Sequence, residues 1–430
     1  MDEILDANPQ MAQAVHEALS RSANGRPKKH TGAKGMTADQ VLRFGIVKFQ
    51  EGLSYRALAD RVDDSIVLRE FCRIPFGRIP VFTTLQENIK KLRPETLEGI
   101  HLLLIDYACA KGVEDGTKVR IDSTAVESNI HHPTDARQLW DAVRVLTRIL
   151  RQAETDMEHL QGRFHDHTRV AKRLLYKINN ARGAHNRTPL YKRLIETAKK
   201  TVGYAREALK ELACAQCQSF EELLAAAGLR NALEHYSPLA QSVIEQSVRR
   251  VLHGEKVPAA EKVVSIFEEH ADIIVKGQRE VVYGHKIFLS GGESNLILDC
   301  AIERGNPADS DQFIPILRRH MEHFGEAPAN VATDGGFASK DNGLWAKAKG
   351  VTNVAFSVLK GNTLTQLVQS ERAYKALRKW RAGIEGIISA VKRACGLTRC
   401  TWRGYESFQA YVWLAVLTFN LKTLAHHLLQ

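Results

Sequence analysis

The sequence predicts an α/β chain in which a mixed sheet with flanking helices follows an all-α N-terminal domain and is interrupted by a large α-helical insertion. Three observations predict it. Apolar residues repeat at helical spacing up to about residue 116. The period then changes to alternation in "KVRIDSTAVES", which is rich in β-branched residues. About 140 residues without a convincing strand separate that stretch from the remaining strand patterns.

A Gly/Pro/Lys-rich lead, "NGRPKKHTGAKGM", precedes "TADQVLRFGIVKFQEGLSYRALADRVDDSIVLREF", where a Thr cap opens a helical pattern and Gly52 breaks it. "LSYRALADRV" after the break reads as the second helix of a helix-turn-helix-like arrangement, or equally as part of a plain helical bundle. "IPVFTTLQENIKKLRPETLEGIHLLLIDYACAKG" adds helices, with Pro94 near the start of the last. The turn signal "EDG" leads into the first strand at Lys118.

Asp135 to roughly Val275 reads as a helical insertion, because "LWDAVRVLTRILRQAETDMEHLQ" and "RVAKRLLYKINNARG" are amphipathic with a basic outer face. Strands follow at Glu280 to Ser290 and Asn295 to Glu303, joined through "GGES" as a hairpin, then at Asn330 to Asp334 and Val351 to Val358. Helices are expected at Asp309 to Phe324, Ser339 to Lys349 and Leu367 to Ala394. The domain division is therefore 1–116 (helical), 117–134 with 276–430 (sheet with flanking helices), and 135–275 (helical insertion).

Sixty Lys and Arg against 49 Asp and Glu, a net charge of +11, point to a polyanionic partner, nucleic acid before anionic membrane. No apolar run approaches the roughly 18 to 20 residues of a membrane span, and the start "MDEILDANPQ" is unlike a signal peptide. A cytoplasmic protein with reduced thiols is expected, its seven cysteines being scattered. The pair "CAQC" (Cys214, Cys217) lacks further zinc ligands at finger spacing, and the histidines at 131, 132, 165 and 167 read as surface or cap residues. Trp402 and Tyr405, among Arg399 and Arg403, read as core or helix-packing residues before base-stacking ones.

Three carboxylates stand out by position. Asp122 lies inside a strand, where Asp is depleted. Asp334 ends the "VATD" strand, where open α/β sheets place their sites, although Asp-Gly is also a common turn. In "RAGIEGIISAVKR", Arg381, Glu385 and Lys392 fall within roughly 40° on a helix beside a stripe of Ile384, Ile387, Ile388 and Val391. An ordinary i,i+4 ion pair accounts for that spacing as well. The order D, D, E is what a Mg²⁺-dependent phosphoryl-transfer site requires, since hard cations take oxygen ligands and keep converging carboxylates ionised.

The motifs "RIDSTAVESNIHHPTD", "VYGHKIFL", "ATDGGF" and "RAGIEGIISAVKRACGLTRCTWRGYESFQAYVWLAVLTFNL" resemble an insertion-sequence DDE transposase with an RNase H-like catalytic fold, of ISNCY type within the group carrying a Y-R-E-K signature. "QVLRFGIVKFQEGLSYRALADRVDDSIVLREF" resembles the N-terminal domain of such enzymes. The resemblance implies that Asp122, Asp334 and Glu385 are catalytic and bind two Mg²⁺ ions, with Mn²⁺ able to substitute. Arg381 and Lys392, with Arg393 beside them, are then DNA contacts. Arg378 stands where the signature has tyrosine, a departure that leaves the carboxylates untouched.

The implied activity is cutting at terminal inverted repeats and joining 3'-hydroxyl ends to target DNA, by a homodimer in the DNA complex of a bacterial, nucleoid-associated protein. A nuclease of the same fold without strand transfer, or a catalytically inactive DNA-binding descendant, are the alternatives. The insertion follows the first strand, and no function is carried over to it.

Overall fold

The computed structural model describes residues 1–20, 35–75, 77–157, 160–214, 219–276, 280–357 and 366–430. Cys217, Val358 and most of the basic lead lie outside the described residues. The chain forms two units, residues 1–129 with 274–430, and residues 130–273.

In the first unit, β1 (Lys118–Glu127), β2 (Asp272–Lys276), β3 (Glu280–Gly291), β4 (Ile297–Glu303), β5 (Asn330–Thr333) and β6 (Asn353–Phe356) form one mixed sheet. Its order is β2-β3-β1-β5-β6, with β4 also paired to β3. The hairpin through "GGES" makes β3 and β4 antiparallel, β1 is antiparallel to β3, and β5 and β6 run parallel to β1. This mixed sheet flanked by helices fits an RNase H-like arrangement. β2 is a strand that the sequence pattern does not announce, because its five residues "DIIVK" are too short a run to show a period.

Helices α1 (Asp2–Asp6), α2 (Pro9–Ser20), α3 (Ala38–Gln50), α4 (Tyr55–Asp63), α5 (Ile66–Phe71), α6 (Phe82–Ile89) and α7 (Pro94–Ala110) precede the sheet. α3 opens on a capping box in which Thr37 and Gln40 bond each other's backbone N–H. Gly52, at φ +64, makes the turn to α4, which Ser54 caps through Ala57 N. The buried Arg43 guanidinium ties α1 to α3 by pairing with Asp2, Asp6 and Asp39, the compensation a desolvated cation requires.

After β4 come α12 (Asp309–Phe324), α13 (Lys340–Ala348), α14 (Glu371–Arg381), α15 (Gly383–Ala394) and α16 (Tyr405–Leu428). α16 is buried along most of its length and packs on α3, α7 and β4. Residues 1–116, read from the sequence as a domain of their own, therefore share one continuous apolar core with the sheet. Trp402 belongs to it: its ring lies 6.1 Å from Phe49 and 5.6 Å from Tyr411, edge to face. Tyr405 donates to Ile302 O under the Arg304 guanidinium.

The second unit has its own core, built by α8 (Asp135–Asp156), α9 (Thr168–Asn180), α10 (Ala184–Cys214) and α11 (Phe220–Ser247) from residues such as Leu146, Leu174, Leu194 and Leu233. Among the described residues no helix is long and apolar enough to cross a membrane.

Candidate active site

The parallel register of β1 and β5 sets Ile121 opposite Thr333, so Asp122 and Asp334 occupy the next position on adjacent strands. Asp334 stands just past β5 and caps the short 3-10 turn Gly335–Phe337, its Oδ1 accepting from Gly335 N and from Ser357 Oγ, the latter at 3.0 Å. Gly336 leaves room for the Asp309 carboxylate, since a Cβ there would lie 2.7 Å from Asp309 Oδ2 and would displace it. Asp122 Oδ1 accepts from Ser123 N at 2.8 Å.

The third carboxylate arrives on α15, whose Ile384, Ile387 and Val391 are buried while Glu385 stays exposed. The pattern read from the sequence as one helix divides at Ala382. Arg120, on β1 two residues before Asp122 and only 2% exposed, donates from Nη1 to Trp380 O at 2.9 Å and from Nη2 to Asn295 Oδ1. Its guanidinium and the Lys118 ammonium stack on the Trp380 ring at 4.8 and 4.9 Å. Gly383 makes room for it, because a Cβ at that residue would lie 2.2 Å from Arg120 Nη1. A strand side chain inserted at the helix junction accounts for the break. It also carries Arg381 and Glu385 over the strand that holds Asp122.

Arg381 links the carboxylates, with Nη1 3.4 Å from Asp122 Oδ2 and Nη2 2.9 Å from Glu385 Oε1. Burial raises the Asp122 carboxyl to about 6; the Ser123 N–H and Arg381 work against that shift, and Asp334 and Glu385 add to it. All three charges are therefore felt at one point. Among the described residues no three His, Cys, Asp or Glu side chains stand close enough to share an ion as they are placed, Glu385 being turned to Arg381. The donors nevertheless fit a divalent cation: they are hard carboxylate oxygens, and at Asp122 the desolvation of the charge outweighs what the Ser123 N–H and the Arg381 guanidinium return.

Lys392 lies two turns beyond Glu385, its Nζ donating to Ala125 O of β1 at 2.8 Å. Arg393 is exposed on the flank of α15 with Nε on Ser389 O. Arg378 is exposed on α14, its guanidinium 5.7 Å from the Tyr374 ring. The rings of His165 and His167 meet edge-on at 4.9 Å, in the second unit. Sequence reasoning passed over Arg120, Gly383 and Ser357. The signal for Arg120 was its place two residues before Asp122, on the same strand face.

Two comparisons bear on this geometry. A family model described as "Transposase DDE domain" matches residues 276–421, which include Asp334 and Glu385, and one described as "Transposase domain (DUF772)" matches residues 1–91. No curated protein and no solved structure matches the chain. The two matched stretches flank the helical unit and together take in more than half of the residues. With transposase models matched at both ends and aspartates side by side at its strand ends, the chain belongs to the insertion-sequence DDE transposases.

Proposed function

We propose that Asp122, Asp334 and Glu385 are the catalytic carboxylates of a DNA transposase that cuts at the element's terminal inverted repeats and joins the freed ends to target DNA. The observation that carries this reading is the pairing of β1 with β5, which sets the two aspartates side by side beneath the helix bearing Glu385 and Arg381. In the first step a water oxygen bonds to the scissile phosphorus as the bond to the leaving 3'-oxygen breaks. That hydroxyl then attacks a target phosphorus and displaces a second 3'-oxygen.

The three carboxylates are the residues to hold two Mg²⁺ ions, with Mn²⁺ as a substitute. Bound there, the ions would lower the pKa of the attacking water or hydroxyl and stabilise the leaving oxygen. Arg381, paired with Asp122 and Glu385, is the residue that would reach a DNA phosphate beside them. Lys392 and Arg393 extend the phosphate contacts along α15. Arg381, Glu385 and Lys392 at signature spacing support the Y-R-E-K group, and the ISNCY type within it rests on the resemblance of the longer motifs. Joining two ends in one event calls for a homodimer on DNA, with α4 the candidate for reading the repeat.

The test is cleavage and joining of end DNA by the full chain. Asp122→Asn, Asp334→Asn and Glu385→Gln are expected to abolish Mg²⁺-dependent cleavage and to leave DNA binding in place. Retained cleavage in any of the three removes that residue from the site. Cleavage without joined products makes the enzyme a nuclease.

A further inference from the structure

The positive charge of this chain is concentrated. Thr168 to Ile195 holds eight Lys and Arg and no Asp or Glu, whereas the remaining 402 residues hold 52 basic against 49 acidic ones. Most of the +11 therefore resides in 28 residues of the helical unit, on α9 and the first turns of α10. The solvent side of α4 is different in kind, with Asp60, Asp63 and Asp64 exposed beside Arg56 and Arg61.

The fold turns this composition into a cleft. α9 buries Ala171, Leu174, Leu175 and Ile178 in the core of the unit, which turns Arg169 and Lys172 outward. α8 buries its own apolar face and presents Arg144, Arg148 and Arg151 across from them. Among the described residues Arg148, Arg169 and Lys172 have no ion-pair partner, while Arg151 pairs with Asp166 and Arg144 with Asp141. Five cations lining one cleft repel one another, a cost in the isolated unit that a polyanion removes.

The spacing selects the kind of polyanion. Arg144, Arg148 and Arg151 recur one turn apart over about 10 Å of helix, the length of about three phosphates along one strand of a duplex. The aromatic ring in the cleft, Trp140, is covered by the Arg137 and Arg144 guanidiniums at 4.8 and 4.7 Å. An unpaired base would have to compete with those guanidiniums for the ring, which favours backbone contact with a duplex over single-strand recognition.

We propose that the α8–α9 cleft of the helical unit is a DNA-holding site that grips the phosphate backbone of duplex DNA without regard to base sequence. It rests on the transposase reading only in taking DNA as the partner, and adds a surface in the second unit, whereas the carboxylates belong to the first.

The test is binding of the full-length protein, in EDTA, to a random-sequence 30-bp duplex between 50 and 200 mM NaCl. Arg148→Gln/Arg169→Gln/Lys172→Gln is expected to reduce the slope of log affinity against log salt by about 2.7, three phosphates at about 0.9 each. Over that salt range the wild type then loses roughly fortyfold more affinity than the variant. The charge-conserving Arg148→Lys/Arg169→Lys/Lys172→Arg keeps the wild-type slope. An unchanged slope in the Gln variant overturns the proposal. So does an equal loss in the charge-conserving variant, or a slope change confined to single-stranded RNA or polyglutamate as probe. Because EDTA silences cleavage and the variants alter only the cleft, the difference in slope reads the cleft, and a failed catalytic assignment leaves its result intact.

Discussion

Asp122→Asn is expected to make the metal-free protein more stable at neutral pH while abolishing cleavage. Burial raises the Asp122 carboxyl from 3.8 to about 6, with Asp334 and Glu385 adding to the shift. A carboxyl with a raised native pKa binds more protons folded than unfolded between about pH 4 and pH 6. Stability therefore falls as pH rises through that window, and the cost is fully present above it. About two pKa units at ~1.4 kcal/mol each come to on the order of 3 kcal/mol at pH 7.5. Asparagine keeps the shape and carries no charge to desolvate. Urea unfolding of the full chain in EDTA is expected to show the variant more stable by that order at pH 7.5, with the difference gone near pH 4. A variant less stable than the wild type at pH 7.5, or a difference independent of pH, refutes the argument. Mg²⁺ is expected to raise wild-type stability at pH 7.5 and to do little for the variant, since it neutralises the same charge.

Arg120→Lys keeps the charge and loses the fork that reaches both Trp380 O and Asn295; a loss of about 2 kcal/mol in urea unfolding is expected, with cleavage reduced and DNA affinity unchanged. Equal activity would show that the α14–α15 junction is held without Arg120. Gly383→Ala places a Cβ 2.2 Å from Arg120 Nη1 and is expected to destabilise, whereas Gly386→Ala, with nothing within 4 Å, is expected to gain about 0.5–1 kcal/mol; melting curves that rank them the other way contradict the packing described. Lys392→Ala is expected to flatten the salt dependence of DNA binding by about 0.9, and an unchanged slope would remove Lys392 from the DNA interface.

The elements that the sequence announced are those with a local cause. The alternation of "KVRIDSTAVES", the Thr37 capping box, the break at Gly52 and the hairpin through "GGES" each follow from propensity or backbone geometry within a few residues. The order Asp122, Asp334, Glu385 was legible for the same reason, as two strand positions and one helix position. The division of the helix at Ala382 was not, because its cause is an arginine 260 residues earlier in the chain, bonded to Trp380 O. Nor was the shared core of α3, α7 and α16, since each apolar face looks the same from the sequence whatever covers it. The sequence by itself determined which residues could bear charge, cap a helix or alternate along a strand. The tertiary structure decided that Asp122 is half-buried, that Asp334 stands beside it and that Arg381 links it to Glu385, because desolvation and Coulomb energy depend on distance through space.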